Sequence, residues 1–149
     1  MLASPKLSLL WFRWLVAVTI GVMFFGISMV LAPNLILQIF SLLFYDSPDQ
    51  IKSFGIGAVA YISFAHAILG AVMFGWGAAL LFTVLGAFRR GSREAWQTLA
   101  ISICAWFIPD TSFSLWSGFW QNAILNLVFA VLFAIPLAAT YRSFHETSG

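Results

Sequence analysis

Apolar side chains along this chain come in long blocks separated by short polar joints. The first block, residues 11–31, is interrupted by Arg13 near its start and then by Thr19, Ser28 and two glycines. As a helix, a block of that length matches the roughly 30 Å hydrocarbon core of a bilayer. Pro33 removes a backbone donor and disfavours helical geometry at Ala32, so the first span should stop or kink there. Residues 34–46 are apolar but too short to cross, with Gln38 and Ser41 as their interior polar groups. They are expected to lie in the interface or to re-enter it, as a lid.

Ser47-Pro48-Asp49-Gln50 has the form of a helix start: Ser47 as N-cap, Pro48 at the first position, Gln50 reaching back. The helical pattern then persists through residue 88, about 40 residues or roughly 60 Å, twice what a membrane needs. Either one tilted helix protrudes, or the chain breaks near Gly55 and Gly57 and the second span covers residues 61–88. A turn at Arg89-Arg90-Gly91-Ser92-Arg93 follows. Ser92 is placed to cap a third span, residues 93–108, which Pro109 should close. A fourth covers residues 119–141, bent by Pro136.

Together these elements predict an all-α, four-helix transmembrane bundle, one membrane domain over residues 1–149, with lids at 34–46 and 109–119. Composition excludes a soluble monomer, since 62% of residues are hydrophobic and 8% charged, against roughly 25% charged in ordinary soluble domains. A pI near 9.0 does not point to nucleic acid, because the seven Lys and Arg sit at the ends of apolar blocks. Lys6, Arg13, Arg89, Arg90, Arg93 and Arg142 fall on one side and Lys52 on the other. By the positive-inside rule both termini are cytoplasmic and loops 32–60 and 109–118 face outward. The first block reads as a retained span: it exceeds a signal-peptide core, and Pro33 directly follows the Val30-Leu31-Ala32 that would be cut.

The stretch WFIPDTSFSLWSGFWQNAILN, residues 106–126, concentrates polarity that the rest of the chain avoids. Trp106, Trp116 and Trp120 suit the headgroup level. Asn122 and Asn126 share one helix face with Ala130, Ala134 and Ala138, and amides at that depth should turn toward other helices or a wet cavity. In the second span Ser63, Ala67, Ala71, Gly75, Ala79, Thr83 and Ala87 recur every four residues, a small-residue surface for helix packing, although each step drifts roughly 40° around the axis.

His66 is placed at about the depth of Asn122. The resulting candidate ligand site is His66, Asp110, Gln121, Asn122 and Asn126, rimmed by Tyr61, Trp106 and Trp120. A carboxylate beside an imidazole would make His66 and Asp110 candidate catalytic residues for a proton relay or general base. The structural alternative has Asp110 capping a short helix after Pro109, His66 donating to a backbone carbonyl and the asparagines joining helices. Cys104 reads as packing, and no metal or cofactor site is expected. Walker, GxGxxG and HExxH motifs are absent, SLWSG lacks the first glycine of a nucleophile elbow, and His66 with His145 does not suit haem.

The span layout and the turn FRRGSREAW, with Arg89, Arg90, Gly91, Ala95 and Trp96, resemble the small bacterial four-helix membrane proteins of the DoxX-like and unknown-function type, over residues 10–142. The resemblance implies a bacterial inner (plasma) membrane location and permits a role near the quinone pool. No catalytic residue carries over. The leading expectation is a binding or accessory protein whose outward aromatic and amide pocket takes a small lipophilic molecule. An intramembrane enzyme or quinone-linked redox subunit using His66 and Asp110, and a purely structural helix-packing subunit, are the alternatives. The expected partners are the bilayer and that ligand, with a homo-oligomer or a membrane partner subunit left open.

Overall fold

A computed structural model describes residues 8–145, all-helical with no strand among them. Helix α1 is Leu9–Leu31, α2 Pro33–Tyr45, α3 Ile56–Thr83, α4 Arg93–Trp116 and α5 Trp120–His145. A 3-10 turn, Ile51–Phe54, precedes α3, and a π-helical turn, Val84–Phe88, extends it. Four segments are long and apolar enough to cross a membrane: Leu9–Leu31, Ile56–Phe88, Arg93–Trp116 and Trp120–Phe144. The described residues form two compact units, Ile20–Ala78 and the remainder.

Within the first unit, α2 starts with Pro33 at its first position and ends on Asp46, whose φ of 53° is left-handed. It buries Ile36, Leu37, Phe40 and Ser41. Met29 and Ile51 complete that core, with Phe25, Val59, Ile62 and Met73 against it. Ser47 does not start a helix. Its carbonyl instead accepts from the buried Ser41 hydroxyl at 2.6 Å, and the same hydroxyl accepts from Ile51 N at 3.1 Å. Helix α3 begins only after Gly55, whose φ of +91° sets the break.

The middle of the small-residue row of α3 faces away from its neighbour. Ala71 and Gly75 are exposed, and nothing lies within 4 Å of a Cβ built on Gly75. The close approach to α1 falls on Gly70 and Gly77 instead. A Cβ on Gly26 would stand 2.7 Å from the Gly70 carbonyl oxygen, and one on Gly77 would stand 2.6 Å from the Met23 side chain. Residues seven apart keep one face along two turns, whereas steps of four rotate away from it.

In the second unit, the π turn is closed by Arg89 N bonding to Val84 O at 3.1 Å. Gly91, with φ +81°, then ends the segment: Ser92 N reaches Ala87 O and Gly91 N reaches Phe88 O, the paired bonds of a Schellman motif. Ser92 caps α4 through Ala95 N. Pro109 does not close α4, which runs on to Trp116, so residues 109–116 are helix and not a lid. The stop comes from Gly118, with φ +85° and bonds from Phe119 N to Ser114 O and Gly118 N to Leu115 O. Membrane-type helices tolerate an internal proline when other groups satisfy the freed backbone.

Pro136 inside α5 shows such compensation. It has no N–H for the carbonyl of Leu132, and the Trp14 indole donates to that oxygen at 2.9 Å. One turn on, the Thr140 hydroxyl donates to Pro136 O and the Trp96 indole to Leu137 O. The Trp14 indole thus supplies the donor that the proline removes, and the other two bonds add donors to carbonyls on its C-terminal side.

Candidate functional site

Helices α4 and α5 are joined by three residues, 117–119, so they pack as an antiparallel pair. Trp106, Asp110 and Ser114 follow at intervals of four along α4 and share a face. Asn122 and Asn126 do the same on α5. The two rows meet. Asp110 Oδ2 accepts from Trp106 Nε1 at 3.1 Å and Oδ1 from Asn122 Nδ2 at 3.0 Å. The Ser114 hydroxyl lies 3.3 Å from Oδ1, donates to Asp110 O at 2.7 Å, and accepts from Asn122 Nδ2 at 2.8 Å. A turn deeper, Asn126, 4% exposed, donates to Thr111 Oγ1 at 3.4 Å.

Asp110 is therefore no helix cap. It sits inside α4, half-buried, with two neutral donors, the Trp106 indole and the Asn122 amide, at its carboxylate and no cationic partner among the described residues. Neutral donors stabilise a carboxylate without cancelling its charge, which leaves it able to receive a further donor or cation. Ser114 and Thr111 join this polar cluster although the sequence pattern did not single them out. Their positions relative to Asp110 and Asn126 depend on α4 continuing past Pro109.

The remaining candidates are placed individually. Gln121 has its side-chain carbonyl buried without a hydrogen-bond partner. Trp120 is 56% exposed; the rings of Phe113 and Trp116, also exposed, meet edge-on at 6.3 Å. His66 and Tyr61 belong to the other compact unit. The His66 ring stacks on Phe40 of α2 at 4.7 Å, and its Nδ1 is buried with no hydrogen-bond partner, so it does not donate to a backbone carbonyl through that atom. Tyr61 is 72% exposed. Among the described residues no group of three His, Cys, Asp or Glu could hold a metal ion.

At the opposite end of α4 and α5, an apolar groove of about 460 Å³ opens between them, walled by Trp96, Ala100, Cys104, Ala134, Ala138 and Tyr141 among others. The alanines that the sequence pattern aligned with Asn126 thus leave Ala134 and Ala138 exposed along this groove. Comparison with protein-family models, curated proteins and solved structures finds no match to this chain.

Proposed function

We propose that this chain is an integral membrane binding or accessory protein, a four-helix bundle with cytoplasmic termini, whose outward α4–α5 end receives the polar head of a small lipophilic molecule. The observation that carries this reading is the Asp110 carboxylate, held on an apolar helix by Trp106 and Asn122 with no cationic partner among the described residues. An ionisable group among apolar helices is costly unless it is used or paired. Exposed Phe113, Trp116 and Trp120 offer an aromatic rim, and the unpartnered carbonyl of Gln121 offers a second acceptor. A ligand carrying a hydroxyl, amine or protonated ring would complement these acceptors.

A purely structural reading is favoured by one observation: Asn122 and Asn126 both donate across to α4, a clamp that needs no ligand. Solvent extraction of purified protein, followed by mass spectrometry of lipophilic compounds, separates the two. Under the binding reading a compound co-purifies with the wild type and is lost from Asp110→Asn, while the unfolding temperature barely changes. Equal contents in both proteins, or no compound in either, would leave the clamp alone.

A further inference from the structure

The arginine end of α4 and α5 has no part in the proposed Asp110 site. Arg13, Arg89, Arg90, Arg93 and Arg142 all belong to the same compact unit and all are exposed. Contacts gather them at one end. Arg89 lies over the Phe12 ring at 5.4 Å, bringing the start of α1 to the turn before α4. Trp96 meets Tyr141 edge-on at 5.4 Å, and Phe88 meets Phe144 at 4.7 Å, bringing the end of α5 to the same place. The carboxylate found here among the described residues is that of Glu94, which accepts from the Ser92 hydroxyl at 2.8 Å. Among the described residues, arginines outnumber carboxylates at this end.

The apolar groove starts at this end. Trp96, Ala100 and Cys104 form its α4 wall, and Arg93 precedes Trp96 by three residues, extending the same helix face by one turn. Ala134, Ala138 and Tyr141 form the α5 wall, and Arg142 stands four residues beyond Ala138, again one turn further along that face. The Trp96 N–H is already spent on Leu137 O at 2.9 Å, so the indole presents its apolar ring to the groove. By helix spacing, then, Arg93 and Arg142 stand one turn beyond the end of an almost wholly apolar trough. That combination complements an anionic headgroup attached to a hydrocarbon chain better than a free anion, which has nothing to place in the trough, or a neutral lipid, which gains nothing from the arginines.

We propose that Arg93 and Arg142 with the α4–α5 groove form a binding site for an anionic phospholipid, its phosphate at the arginines and one acyl chain lying along Ala100, Cys104, Ala134 and Ala138.

The test titrates detergent-purified protein with dioleoylphosphatidylglycerol, dioleoylphosphatidylcholine and inorganic phosphate, reading bound lipid by native mass spectrometry. Phosphatidylglycerol should bind preferentially, and inorganic phosphate at matched concentration should not displace it. Arg93→Gln with Arg142→Gln should weaken phosphatidylglycerol roughly thirtyfold, equivalent to about 1 kcal/mol for each arginine, and leave phosphatidylcholine unchanged. Ala138→Phe, which fills the groove and keeps both arginines, should weaken both lipids. Equal retention of the two lipids, unchanged phosphatidylglycerol binding in either variant, or displacement by phosphate would overturn the proposal. These side chains are exposed, so folding should survive. Unfolding temperature checks that, and Ala134→Phe replaces Ala138→Phe if the latter fails to fold.

Discussion

The indole nitrogen of Trp14 donates at 2.9 Å to the carbonyl oxygen of Leu132, the oxygen that Pro136 leaves without its helical donor. A proline that would otherwise leave an unmet acceptor is thereby accommodated by a residue more than a hundred positions away in the chain. The bond also fixes the early part of α1 against α5.

Trp14→Phe should then cost about 1 kcal/mol beyond its lost packing when Pro136 is present, because a part-buried acceptor loses its partner. In a Pro136→Ala background, where an N–H is restored, that extra loss should vanish. Chemical unfolding of the four proteins in detergent closes the cycle. An identical Trp14→Phe loss in both backgrounds would show that the indole bond does not serve the proline.

Gly26 and Gly75 should respond oppositely to alanine. A Cβ on Gly26 meets backbone atoms at 2.7 and 2.8 Å, which can yield only if α1 and α3 separate. Gly26→Ala should lower the unfolding temperature by several degrees, a loss on the order of 2 kcal/mol or more. Gly75→Ala meets nothing within 4 Å and should be neutral or gain up to about 1 kcal/mol from helix propensity.

The end of α4 can be located by substitution. Pro109 is exposed and internal to the helix, so Pro109→Ala should be neutral or stabilising, since it returns a donor to the ladder. Gly118 is left-handed, and Gly118→Ala should cost roughly 1–2 kcal/mol. Thermal unfolding of the two variants reads both. A reversed order would mean that the helix ends at the proline after all.

Asp110→Leu removes the acceptor used by Trp106 Nε1 and Asn122 Nδ2. It should destabilise by about 1–3 kcal/mol, whereas Asp110→Asn, which keeps one carbonyl acceptor, should lose well under half as much. The contrast is measured by denaturant titration. If leucine is tolerated as well as asparagine, the polar cluster contributes nothing to holding α4 and α5 together.

The long apolar blocks were legible in the sequence because helical spans are set by composition over some twenty residues, which one polar or glycine position does not change. Their ends were harder. Pro109 looked like a stop because proline removes one hydrogen bond, yet the helix runs on past it and is terminated by Gly118, whose left-handed geometry only glycine adopts cheaply. Ser47 looked like a cap, but its carbonyl is taken by the Ser41 hydroxyl and the turn continues to Gly55. Of the candidate site, Asp110, Trp106 and Asn122 come together as polar side chains on apolar helices must, whereas Ser114 and Thr111 could be recognised only once α4 was known to pass Pro109. The middle of the four-residue row on α3, at Ala71 and Gly75, turns away from α1 through the rotational drift that spacing carries, and the close approach falls on Gly70 and Gly77.

The three-residue joint between α4 and α5 bears on biogenesis. Asp110 and Asn122 lie twelve positions apart, so the ribosome need deliver little more than one hairpin before these groups can find each other. They can leave water already mated, and the translocon then hands the lipid a ready-made pair of helices in place of a naked charge.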